Sequence, residues 1–137
     1  MTTIKATKGE LVGLTNGLFA VQELKGKKFG LAVSKNLTIL QNELKDLEEF
    51  SKPSPEFLEL AQKVNQIANE DKENAQEEID KLEQEHLEIV TFRKKQVEET
   101  TEQLQLEATV KLTTISEDIL PNEITAKQIN NIQQIII

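Results

Sequence analysis

Cysteine, tryptophan and tyrosine are absent from this 137-residue chain, and histidine occurs once. Without cysteine there is no disulfide and no thiolate to serve as nucleophile or metal ligand, which fits a reducing compartment. The only aromatics are five phenylalanines. Ligand pockets and interface hot spots recruit Trp, Tyr and Arg, so their scarcity argues against a small-molecule or cofactor site. A zinc centre draws about four His, Cys or carboxylate ligands. The lone His86 is followed by Leu87 rather than glutamate, and no second histidine completes an HExxH helix. No serine sits in a glycine-flanked elbow, and no glycine-rich phosphate loop is present. Carboxylates are plentiful, but the aromatics that stack sugars beside a glycosidase pair are not. The expectation is a protein that is not an enzyme, with no catalytic, cofactor-binding or metal-binding residues.

Long hydrophobic runs are also missing. No stretch approaches the ~20 apolar residues that cross a bilayer. The segment Met1-Thr2-Thr3-Ile4-Lys5 has no apolar run of signal-peptide length. A soluble, cytoplasmic protein without membrane contact is expected. Apolar residues make up 37% of the chain and charged residues 29%, a balance suited to long helices with narrow apolar stripes. The length suits a single domain spanning 1–137. The net charge of −8 reads as a solubility feature or as mimicry of a nucleic-acid backbone. Lysines interleave with the acids, as in Lys72-Glu73 and Lys81-Leu82-Glu83, which favours a salt-bridged solvent face. With so few aromatics and an acidic balance, no nucleic-acid partner is expected.

Residues 2–6 read as a short strand. A helix then spans about 8–24, with Leu11, Leu14, Leu18 and Val21 at spacings of three and four. Gly9, Gly13 and Gly17 recur every four residues on a second face. Each glycine costs a helix about 1 kcal/mol against alanine, so three in register ask for a cause. Close packing of another backbone within the chain, an intermolecular contact and chance are the alternatives. Lys25-Gly26-Lys27-Lys28-Phe29-Gly30 reads as a turn whose lysines sit at the negative end of the first helix. A second helix, about 31–50, carries a heptad seam at Val33, Leu37, Leu40, Leu44 and Leu47. Prolines at 53 and 55 end it, and Ser54 is placed to cap the next helix with Pro55 at its first position.

The third helical region runs from about 55 to 104. Its stripe of Leu60, Val64 and Ile67 is interrupted by the polar residues 69–74, then resumes at Ala75, Ile79, Leu82, His86 and Ile89. It weakens through Arg93, Val97 and Leu104. Unbroken, such a helix would reach ~75 Å. Either 69–74 is a turn that folds the rod into a hairpin, or the rod projects and binds along its length. On this stripe His86 reads as a half-buried ring satisfied by a nearby glutamate, with a pH-sensitive role as the sharper alternative. Residues 106–115 alternate apolar and polar with period two and form the clearest strand signal. A lone strand is unstable, so it is paired with residues 2–6. A last helix, 125–136, is capped by Thr125 and shows Ile129, Ile132 and Ile136 on one face. Ile135-Ile136-Ile137 form an apolar tip that the domain must bury or hand to a partner. The expected fold is mainly α: long antiparallel helices, as a hairpin or bundle, on a small two-stranded β base formed near both termini.

The layout around Leu31-Ala32-Val33-Ser34-Lys35-Asn36-Leu37, then Leu40 to Glu49, then a charged middle, a strand and Leu120-Pro121-Asn122-Glu123-Ile124-Thr125 resembles a family of small bacteriophage proteins of unknown function. These are often encoded among tail and other late structural genes. The resemblance implies a viral origin, a place in the host cytoplasm or the virion, and a structural or assembly accessory role. Protein partners are expected, either further copies of the chain, through the seam, glycine face and isoleucine tip, or other phage proteins. The alternative is a phage-encoded inhibitor that binds a host protein.

Overall fold

A computed structural model of the protein describes residues 1–70 and 73–137. Strand β1 (Thr2–Thr7) pairs antiparallel with β2 (Glu107–Leu112), joining residues near both ends of the chain. Thr2 lies opposite Leu112, Ile4 opposite Val110, and Ala6 opposite Ala108. Alternation turns Ile4, Ala6, Val110 and Leu112 inward and leaves Lys5, Glu107, Thr109 and Lys111 in solvent. Lys5 and Glu107 form an ion pair at 3.3 Å, well exposed and therefore a small contributor. The strand predicted over 106–115 is shorter than expected because Thr113 leaves the ladder for a different partner: the Asn36 side chain donates to its carbonyl at 2.9 Å and accepts from its N–H at 2.7 Å.

Six α-helices are present among the described residues: α1 (Lys8–Val21), α2 (Lys27–Ser51), α3 (Pro55–Glu70), α4 (Ala75–Glu85), α5 (Leu87–Leu104) and α6 (Ala126–Asn131). Thr7 ends β1 and caps α1, its Oγ1 accepting from the Glu10 N–H at 3.1 Å, so the strand passes into the helix without a loop. The expected turn at Lys25–Gly30 is corrected. The chain turns over 22–26, with Gly26 at φ 141°, and Lys27 to Gly30 already belong to α2. Burying Phe29 in the core outweighs the poor placement of two lysines at the positive end of a helix. Ser54 caps α3 as its sequence suggests, its Oγ accepting from the Phe57 N–H at 3.2 Å. The helix predicted over 125–136 stops at Asn131, with Thr125 and Gln128 forming a reciprocal capping box. The tail then gives its backbone to Ile115: the Ile115 N–H donates to Ile135 O at 2.8 Å, and the Ile137 N–H donates to Ile115 O at 2.9 Å.

The region predicted as one helix over 55–104 is three. Of the expected break at 69–74, Asp71 and Lys72 lie outside the described residues; α3 ends at Glu70, α4 starts at Ala75, and the two helices pack together as a hairpin. A second interruption, which periodicity does not reveal, falls at His86 (φ −118°, ψ 36°). The chain divides into two compact units, one of residues 1–47 with 102–137 and the other of residues 48–101.

The first unit holds a closed core. Leu11, Leu18, Phe29, Leu40, Leu112, Ile115, Ile132 and Ile135 are all at most 1% exposed. In the second unit, Leu60 is the one fully buried side chain among the described residues.

Candidate functional site

Of the three faces that the sequence singles out, the seam lies inside the first unit, whereas the glycine face and the isoleucine tip are only partly covered. Every residue of the Val33–Leu47 seam is buried in its core. Gly17 lies under α6: a Cβ there would meet the Asn131 carbonyl at 3.1 Å and Ile132 Cγ2 at 3.2 Å. A Cβ at Gly9 would meet the Leu104 carbonyl at 3.2 Å, whereas Gly13 faces open space. Of the isoleucine tip, Ile135 is fully buried and only Ile137 is well exposed. The seam, Gly17 and Ile135 are thus used in packing the first unit, while Gly13 and Ile137 remain at its surface.

The second unit is different. Phe57, Leu60, Ala61 and Val64 of α3 face Val90, Arg93 and Val97 of α5 across an open groove of about 640 Å³. Asn65, Glu83, Lys94 and Glu98 line its edges. The stripes on these helices are narrow, one residue per turn, so the three helices cannot close over their apolar side chains, and Val97 stays 46% exposed. Leu58, next to Phe57 on α3, is also exposed.

Arg93, the only arginine of the chain, fixes one end of this unit. Its Nη1 donates to the Ser51 carbonyl at 2.8 Å and to Gln96 Oε1 at 2.9 Å, and its guanidinium lies 5.6 Å from the centre of the Phe57 ring. Gln96 Nε2 donates to the carbonyls of Phe50 (2.6 Å) and Lys52 (2.8 Å). Together they satisfy carbonyls at and just beyond the C-terminus of α2, where no further helical N–H follows and a cation also suits the dipole. Replacing Arg93 with alanine is expected to lower stability by about 1–2 kcal/mol. Arg93→Lys recovers less than half of that, because an ammonium cannot both stack on a ring and fork between two acceptors. Urea unfolding followed by circular dichroism checks this; full stability in Arg93→Lys would mean that only the charge matters.

His86 sits at the joint of α4 and α5, half-buried, and with Glu56, Glu59, Leu60, Lys63 and Ile89 it borders a recess of about 100 Å³. No hydrogen bond of its ring is found among the described residues. A third recess, about 380 Å³ in the first unit, is bordered by Phe19, Gln22, Gly30, Ser34, Thr38 and Gln41, all uncharged. Among the described residues there is no group of three or more His, Asp or Glu side chains able to hold a metal ion, and no helix is long and apolar enough to cross a membrane.

Apolar walls with a mixed-charge rim offer burial of apolar surface. The groove was legible only in part. Leu60 and Val64 stand out by spacing, but Val90 and Val97 fall where the stripe fades, and the break at His86 that turns α5 has no glycine or proline to mark it. No protein-family model, curated protein or solved structure matches this chain.

Proposed function

We propose that this protein works without catalysis, by holding a segment of another protein in the α3–α5 groove, as a structural or assembly accessory of a bacteriophage. The observation that carries the binding reading is the open apolar groove of the second unit, whose floor includes Leu60 and whose walls remain half-exposed. An apolar patch left open on an otherwise heavily charged chain is a common mark of a protein-binding site. The viral context rests on the resemblance in layout described above. The seam, Gly17 and Ile135 are used in packing the first unit, which leaves the groove as the larger apolar surface for a partner.

Val97→Asp places a carboxylate on the wall of the groove at a site exposed enough for the fold to tolerate it. The tagged wild-type chain is expected to retain a stoichiometric phage protein from infected-cell extract and to be found in purified virions by mass spectrometry. Val97→Asp, with an unchanged circular dichroism spectrum, is expected to lose that partner. Retention of the partner by the variant would sink the groove as the site, and capture of a host protein alone would assign the inhibitor role instead.

A further inference from the structure

The charge of the chain is divided unevenly between its two units. In the first, nine lysines balance nine carboxylates. In the second, fifteen carboxylates outnumber six lysines and Arg93, so the entire net charge of −8 belongs to the 48–101 segment that holds the groove. The groove thus combines apolar walls with an acidic unit.

We infer that the occupant of the α3–α5 groove is a cationic amphipathic helix, apolar on one face and rich in lysine or arginine on its flanks, supplied by a different protein and not by a second copy of this chain. This rests on the protein-binding reading of the groove and names the chemistry of what it takes. Two helices walling an elongated apolar trough accept a third whose side chains at i, i+3 or i+4, and i+7 enter it. Glu83 on α4 and Glu98 on α5 stand at its edges and meet such a helix's flanking cations. Of the two cations there, Arg93 is held by the neutral Ser51 carbonyl, Gln96 and Phe57 ring and keeps its charge, and Lys94 is the other, so the lining itself is balanced and the preference for a cation comes from the net charge of the whole unit. A second copy docked groove to groove would set two units of the same strong negative charge face to face, with only the screening of about 10 Å at 0.1 M salt to relieve them.

The test uses three labelled 18-residue peptides and the full chain. One places leucines at helical spacing with lysines on the flanks; the second replaces the lysines with glutamates; the third scrambles the first so that its apolar face is lost. Fluorescence anisotropy is expected to show the leucine–lysine helix binding at least about tenfold more tightly than either control, since it alone offers both apolar burial and opposite charge. Val97→Asp, and the milder Val97→Ser should the first variant lose helicity, are expected to weaken it. Glu83→Gln with Glu98→Gln is expected to reduce both the affinity and its dependence on salt. Equal binding of the scrambled peptide would overturn the inference by reducing it to bulk charge attraction. Equal or tighter binding of the glutamate peptide, still sensitive to Val97→Asp, would overturn the cation preference while leaving the groove as a docking site. If no peptide responds to the groove substitutions, both readings fail. A dimer by light scattering that dissociates in Val97→Asp would give the groove to a second copy instead.

Discussion

Asn36→Leu is expected to lower the stability of the protein by about 2–4 kcal/mol, although leucine is nearly the same size and the site lies on an apolar face. Asn36 is fully buried on α2, between Val33 and Leu40 of the seam. Its amide reads both backbone groups of Thr113, 77 residues away, donating to one and accepting from the other. Leucine would leave both Thr113 groups without a partner in a partly buried place, and the desolvation of unpaired groups outweighs the gain from added apolar volume. The measurement is urea unfolding by circular dichroism, because the chain offers no tryptophan or tyrosine as a fluorescent probe.

Asn36→Asp separates the hydrogen bonds from packing. A carboxylate there accepts from the Thr113 N–H but opposes its carbonyl, and its charge is buried without a cation. Burial raises its folded-state pKa above the unfolded value. The introduced group therefore destabilises the fold above the unfolded carboxyl pKa and does so most fully once pH exceeds the folded one. As pH falls, protonation restores a donor and an acceptor, and the deficit relative to wild type is expected to shrink. If Asn36→Leu matched wild type, or if the deficit of Asn36→Asp did not change with pH, the clamp would not matter for stability.

The second large effect is expected at Gly17, with Gly13 as its control. Gly17→Val pushes branched methyl groups into the Asn131 backbone and Ile132, which a Cβ alone would already meet at 3.1–3.2 Å. Overpacking of this kind costs about 1–3 kcal/mol, and here the opposing Asn131 carbonyl is backbone and Ile132 is fully buried, so neither moves aside freely. Gly13→Ala meets nothing within 4 Å, and the same helix then gains up to about 1 kcal/mol from the better helix former. Opposite signs at two glycines one turn apart, read by thermal and urea unfolding, would establish that the spacing reflects one close approach and not a uniform groove. Equal signs would refute it.

The sequence is a good guide where periodicity and local chemistry act together. Seam spacing on α2 marks residues that are all buried, Ser54 and Thr125 cap the helices they precede, and alternation in 107–112 makes the strand whose partner is at the other end of the chain. It misleads where a local signal competes with the core. Lys25–Gly30 has turn composition, yet Phe29 draws Lys27 to Gly30 into α2 because its burial outweighs the low helix preference of Gly30 and the poor placement of two lysines at the positive end of the helix. The isoleucine tip reads as an end that the domain must bury or hand to a partner, and which of the two holds is decided by the backbone of Ile115, a contact between segments some 20 residues apart that no local pattern encodes.

Composition and periodicity alone thus determined the helical class and the two strand segments, since each depends on residue type and near-neighbour spacing, while their pairing followed from the instability of a lone strand. Tertiary structure decided which apolar faces remain available. A stripe of given spacing looks the same whether neighbours cover it, as they do the seam between Val33 and Leu47, or leave it open, as between Phe57 and Val97. Burial is a property of what lies opposite, and that is set by long-range packing.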